Sequence, residues 1–326
     1  MTQNKITQGG FALDIDNTKT HGQVRDAEHK LITEWTTPTP SHNSLADVIK
    51  TGYGRAKESL GAEPDFVGVG FGGPVDPKTG AAKLILVTEF SDTVTHHQVS
   101  EMLGGVPVVH LNDVAASAHA LDFPHFKPDA TLLTKNAVIE VGPSVLVEIG
   151  TGVGTAYCLP GGTVMPSEAV RIHASNGVPH GLNLCGSLGF VNVTNELIEK
   201  GVALPVDIAK LLEAGDTLGP TITARIAAGD SDNFIEQFKK QYAQYLGELL
   251  GTLQLAFLAT RIFLGGSVGR APMFLEKLLE TEEFWQAFAK KDALRGKDMP
   301  ILRINDKDAT VRGAYAAASK YVSNSV

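Results

Sequence analysis

Residues Phe11–Ile15 form an apolar run of strand length that stops at Asp16-Asn17, a turn-favouring pair. The stretch from there to Trp35 alternates loosely and has room for two more strands before Pro38 and Pro40 interrupt it. Leu45, Val48, Ile49, Tyr53, Ala56 and Leu60 recur at helical spacing, which predicts a helix across residues 45–60. Phe66–Phe71 reads as a short buried strand closed by Gly72-Gly73-Pro74. A short helix over His97–Leu103, a buried strand over Val106–Leu111 and a helix over Asn112–Leu121 follow. Prolines gather across Asp122–Pro128, a candidate hinge. Ser144–Ile149 is again an apolar strand, followed by the glycines of 150–154. Residues 194–260 are mostly helical in pattern, and Phe234–Leu258 is a long amphipathic stretch running into a strand at Arg261–Leu264. An alanine-rich helix covers Thr310–Val322. Strands alternating with helices indicate an α/β architecture.

The pattern also repeats. FALDIDNTKT at 11–20 is similar to LVEIGTGVGT at 146–155: an apolar strand, an acidic residue, an isoleucine, then a turn of small polar residues. One unit per half suggests a duplicated fold, although any strand-turn-strand shares part of this outline.

Composition narrows the picture. The 326 residues make two domains the natural expectation. A net charge of −8 argues against nucleic-acid or anionic-membrane partners, which reward positive fields. The sequence shows neither an apolar leader at its start nor a run of about 18 apolar residues, so the cytoplasm is the expected compartment. Two cysteines, Cys158 and Cys185, exclude a disulfide scaffold.

Several segments carry candidate chemistry. Gly150-Thr151-Gly152-Val153-Gly154 can turn tightly enough for backbone N–H groups to converge on a phosphate, or it is a plain hairpin turn. Asp14, at a strand end, can hold Mg²⁺ through water, with Thr18 and Lys19 towards phosphate; Asp-Asn is also a common turn. Gly68–Gly73 fits GxGxxG, yet turn chemistry rather than a helix follows it, which argues against dinucleotide binding. Asp113 is placed to take a proton from a hydroxyl, while Asn112-Asp113 equally suits a helix N-cap. Gly265-Gly266 is either room for a flat ring or a strand-to-helix turn. His173, His180 and Cys185 are metal-ligand types at irregular spacing, a pattern more often structural.

In this order the segments resemble the ROK family (repressors, open reading frames and sugar kinases) of the actin/hexokinase/Hsp70 ATPase superfamily, over nearly the whole chain. FALDIDNTKT is similar to its first phosphate segment, GVGFGGPVDPKTG to its sugar-contacting turn and VHLNDVAASAHA to its catalytic Asn-Asp helix. EIGTGVGTAYCLPGG is similar to its second phosphate segment, FLGGSVG to its adenosine segment and TVRGAYAAA to its closing helix. The resemblance implies two ribonuclease-H-like domains with a central cleft closing over sugar and ATP. The expected division is residues 1–121 with 310–326, and residues 122–309. It implies Asp113 as general base, and Asn112, Gly72, Gly73, Glu168 and His173 at the sugar. Asp16, Asn17, Thr18, Lys19, Thr151, Gly152, Gly265 and Gly266 would surround the nucleotide, and Asp14 would orient Mg²⁺ through water. A homodimer that phosphorylates a hexose or related sugar, of glucokinase, fructokinase or N-acetylhexosamine-kinase type, is the expectation. No helix-turn-helix segment precedes the first phosphate strand, which disfavours the repressor branch.

The departures are local. The family usually has Asp-Ile-Gly-Gly-Thr, and here Asp16-Asn17 replace the glycine pair. Asn183 and Phe190 stand where cysteines of a zinc loop are expected and Asn192 where a glutamate is, so no structural zinc is expected. Val170 takes the place of a further glutamate, with Glu168 as its shifted candidate. These departures motivate an alternative: a catalytically impaired relative that binds a sugar and acts as a sensor.

Overall fold

The computed structural model describes residues 7–84, 92–122, 129–135, 137–167, 184–290 and 296–324. The chain divides into two units, residues 1–128 with 307–326, and residues 129–306. In chain order the first unit carries β1 (Gly10–Ile15), β2 (Lys19–Arg25), β3 (Leu31–Pro38), α1 (Leu45–Leu60), β4 (Val67–Phe71), α2 (His96–Met102), β5 (Val108–Asn112) and α3 (Asp113–Asp122). The second carries β6 (Ala130–Leu132), β7 (Ser144–Ile149), β8 (Val153–Leu159), β9 (Thr163–Ser167), α4 (Ser187–Glu199), α5 (Val206–Ala214), α6 (Gly219–Ala227) and α7 (Asn233–Phe257). It continues with β10 (Arg261–Gly265), α8 (Gly266–Gly269), α9 (Phe274–Leu279), α10 (Glu282–Ala289) and β11 (Ile301–Ile304). The last helix, α11 (Ala309–Asn324), belongs to the first unit.

The first sheet runs β3-β2-β1-β4-β5, with β1, β4 and β5 parallel and the β1–β2–β3 meander antiparallel. The second runs β6-β11-β10-β7-β8-β9. Read from β9, it has the connectivity of the first sheet plus one antiparallel edge strand, β6. The repeat seen in the sequence is therefore a repeat of topology. Each hairpin turn, 16–18 and 150–152, spans three residues and sits at the same place in its sheet.

The two faces of the first sheet are packed differently, and the strand sequences say why. On one face Phe11, Leu13, Ile15, Val67, Val69 and Phe71 meet Leu45, Val48 and Ile49 of α1. On the other, Ala12, Gly68 and Gly70 leave the sheet nearly bare, and α11 comes close. A Cβ on Gly68 would overlap the Ala314 carbonyl oxygen, and one on Gly313 the Ala116 carbonyl oxygen. Alternating large and small residues thus give one sheet a deep apolar layer and a close helix pair, α3 and α11. Sequence also sets the ends of α1: the Ser44 side chain accepts the Asp47 N–H, and Gly61 ends the helix at φ 68°. The second unit has its own core, in which the 25-residue α7 packs Phe238, Tyr242, Leu246 and Leu253 against Val145, Val147, Phe190, Ile262 and Phe284.

The sequence expectations hold closely for strands and helices. The differences are small: β5 keeps Asn112, and α3 starts at Asp113 rather than at Asn112. Among the described residues no helix is long and apolar enough to cross a membrane.

Candidate functional site

In the first unit, the carboxyl ends of three parallel strands stand side by side. Ile15 pairs with Phe71, and Phe71 with Asn112. That register brings Asp16, Gly72 and Asp113 to one edge as the next residue of each strand. Such an edge is where open α/β sheets bind ligands, because loops diverge there and backbone groups are left unpaired. Asn112 ties the edge together. Its Oδ1 accepts the Val114 N–H at 3.1 Å and the Ala115 N–H at 3.4 Å, and its Nδ2 donates to the Gly73 carbonyl at 3.2 Å. Asn112 therefore does cap α3, and the same side chain fixes the Gly72-Gly73 turn. Asp113 is half-buried, and its Oδ1 accepts the Val114 N–H at 2.8 Å. A carboxylate held this way at a strand end can accept a proton from a bound hydroxyl.

The Gly72-Gly73 turn is braced from two sides. Gly72 N–H donates to the Ile15 carbonyl at 2.9 Å, and a Cβ on Gly73 would overlap the Lys83 carbonyl oxygen. Farther along the same loop, His110 of β5 donates from Nδ1 to the Gly80 carbonyl at 2.7 Å. His110 is 6% exposed, and burial pushes its pKa down to about 4, with His96 acting in the same direction and the Gly80 bond opposing. It is neutral near pH 7 and serves as a fixed donor.

The first turn is less open than its sequence neighbours suggest. Asp16 N–H closes the hairpin on the Lys19 carbonyl at 3.0 Å. The Asp16 carboxylate accepts the Asn17 N–H at 2.6 Å, and the same Oδ1 lies 3.2 Å from where a Cβ on Gly72 would be. Thr39, fully buried, donates from Oγ1 to the Asp16 carbonyl at 2.7 Å, and its N–H donates to the Thr18 carbonyl at 3.1 Å. Thr18 and Lys19 are exposed, and Asp14 is half-buried one residue before the end of β1.

In the second unit, Gly150-Thr151-Gly152 lies at the carboxyl end of β7, beside the end of β10. Gly150 N–H closes the turn on the Gly152 carbonyl at 2.9 Å. Ser187, first residue of α4, donates its N–H to the Gly150 and Thr151 carbonyls at 3.0 Å each. Gly186 precedes it with no side-chain cap, and a Cβ there would come within 2.8 Å of the Thr151 carbonyl oxygen. The uncapped start of a 13-residue helix beside a glycine turn is an anion-friendly place. Gly265 and Gly266 lie on the same edge; Gly266 has φ 78°, and a Cβ on it would meet the Ile149 backbone, so the chain passes flat over the β7 end.

Thus the structure gathers Asp14, Asp16, Asn17, Gly72, Gly73, Asn112 and Asp113 at one edge of the first unit, with Thr18 and Lys19 in its exposed hairpin. It gathers Thr151, Gly152, Gly265 and Gly266 at the equivalent edge of the second. Glu168 and His173 lie outside the described residues, as does His180. Cys185 is buried, burial pushes its thiol up, and its carbonyl accepts the Tyr242 hydroxyl. Phe190 is buried among Phe238, Tyr242 and Phe274. Among the described residues no three His, Cys, Asp or Glu side chains cluster to hold a metal. A Mg²⁺ that keeps water and substrate oxygens as most of its ligands needs only one carboxylate, and Asp14 fits that part. Sequence reasoning missed Thr39 and Ser187; a threonine between two prolines and a serine just after a glycine at a helix start are the signals that mark them.

No family model matches the chain. An N-acetylmannosamine kinase of Salmonella newport is 24% identical over 274 residues, which is 82% of this chain and 86% of the relative. A ROK family glucokinase from Streptomyces griseus, solved with glucose and AMPPNP, superposes with a TM-score of 0.66 at 19% identity, over 96% of this chain and 99% of that one. A ROK family transcriptional regulator homologous to the E. coli MLC protein superposes with a TM-score of 0.69 at 17% identity, over 98% of this chain and 80% of that one. The chain thus carries the two-sheet α/β fold of these ROK proteins.

Proposed function

We propose that the protein phosphorylates a hexose or related sugar, an N-acetylhexosamine included, with ATP as donor. The observation that carries this reading is the row of strand ends in the first unit. Asn112 binds the Gly73 carbonyl, so a candidate base, Asp113, and a candidate sugar turn, Gly72-Gly73, are held in one register. The sugar hydroxyl attacks the γ-phosphorus. A new P–O bond forms, the bond to the β,γ-bridging oxygen breaks, ADP leaves, and the hydroxyl proton passes to the Asp113 carboxylate. Asn112 and the turn position the sugar. The glycine turns of the second unit, with the start of α4 beside them, suit phosphate and adenosine. Mg²⁺, held through water by Asp14, would supply charge neutralisation. The kinase relative supports the sugar class and the solved glucokinase complex supports the donor.

The test is ADP release from Mg·ATP across a panel of hexoses, N-acetylhexosamines and their epimers. Turnover on one sugar, lost by about 10²–10⁴-fold in Asp113→Ala with sugar binding retained, is the expected result. An unchanged rate in that variant sinks the assignment of the base.

A second reading, a sugar-binding sensor with little turnover, is favoured by the carboxylate built into the first turn and supported by the regulator of the same fold. Sugar binding without turnover on any member of the panel selects it.

A further inference from the structure

The two hairpin turns match in length and in place but not in what they offer an anion. Gly150-Thr151-Gly152 carries no acidic side chain. In the first turn, Asp16 Oδ1 already accepts the Asn17 N–H at 2.6 Å, and among the described residues no Lys or Arg pairs with Asp16. A turn binds phosphate by presenting unspent N–H groups in a positive field. Here the amide is spent on the turn's own acid, and the acid repels what would replace it. The Asp16 backbone is held from either side: its carbonyl accepts the Thr39 hydroxyl and its N–H donates to the Lys19 carbonyl, which fixes the part of the turn that carries the carboxylate. Its position against Gly72 also puts the charge beside the candidate sugar turn rather than out in solvent.

We infer that Asp16 is a specificity-determining residue that holds down the phosphate affinity of the first turn, by occupying the Asn17 amide and by its charge. This rests on the kinase reading above. It also distinguishes two roles for the same acid. A carboxylate serving chiefly as a second Mg²⁺ ligand strengthens nucleotide binding, and its loss weakens it. A self-satisfied turn does the opposite.

The experiment is calorimetric titration of Mg·AMPPNP into the wild type, Asp16→Asn and Asp16→Gly. The asparagine keeps an oxygen for the Asn17 amide and removes only the charge; the glycine removes both. Nucleotide Kd should fall about tenfold in Asp16→Asn, as expected for losing one like charge near the phosphates, and further in Asp16→Gly. Melting curves without nucleotide report whether each variant is folded, and Asp16→Asn alone decides the matter if Asp16→Gly is not. Equal or weaker nucleotide binding in Asp16→Asn, with a wild type that turns over sugar, overturns this inference and leaves the kinase standing. No nucleotide binding and no turnover in any of the three proteins overturns both.

Discussion

Asn112 does two jobs with one amide group, and this is what keeps the candidate base and the candidate sugar turn in one geometry. Its oxygen faces the first amides of α3, and its nitrogen faces Gly73. An aspartate here keeps the cap but cannot donate, so the turn loosens while the helix stays. Two histidines of the same unit, the buried His110 and the part-buried His119, carry a prediction about acid. Burial pushes both His110 and His119 down to about 4, and the Lys320 charge adds to the effect at His119. The unfolded chain takes up these protons near pH 6.5 and the folded one only near pH 4. Stability is therefore complete above about pH 6.5 and falls as pH drops towards 4, by about 2 kcal/mol per histidine between pH 7 and 4.5. Unfolding free energies from urea titrations at the two pH values should differ in the wild type. The difference should shrink by about 2 kcal/mol in His119→Leu, and an unchanged difference contradicts the assignment.

At the scale of elements, the close pair α3 and α11 exists because both helices are built of small residues where they cross. Gly313→Ala tests this against a competing effect. Alanine raises helix propensity by about 1 kcal/mol, but its methyl must enter the Ala116 carbonyl, which is backbone and has nowhere to go. The clash wins, and we expect a loss of at least about 2 kcal/mol in denaturant unfolding; a stabilised variant refutes the close packing. The same elements show what a sequence reader can and cannot see. The strand at 11–15 is legible as a short apolar run and the helix at 45–60 by its apolar spacing, while the caps at Ser44 and Gly61 come from the structure. The boundary at Asn112 is not, because a residue that closes a strand and caps the following helix suits either. Motif order exposes Gly72, Asn112, Asp113 and Gly150–Gly152, since turn chemistry is local. Contacts such as Thr39 to Asp16 and Ser187 to Gly150 are not visible, because they join residues 23 and 37 positions apart and depend on which turns the fold brings together.

At the scale of the whole molecule, the two units differ in how the chain supplies them. The second is one continuous stretch with its own large core. The first is completed by α11, which covers the bare face of its sheet with Val311, Ala314, Tyr315 and Ala318. A fragment of residues 129–306 is therefore expected to fold alone, with a cooperative thermal transition and helical circular dichroism. A fragment of residues 1–128 is expected to remain largely unfolded until a peptide spanning 307–326 is added. Folding of residues 1–128 without that peptide contradicts the role given to α11. This division has a consequence for synthesis. The ribosome releases residues 1–128 first, but they lack the helix that roofs their sheet. The second unit is whole by residue 306, while residues 1–128 must wait for residues 307–326. Maturation therefore runs against the order of translation, and the candidate base at Asp113 acquires its support only after the second unit has been made. A message truncated at the start of α11 would leave the second unit intact and the first without its roof.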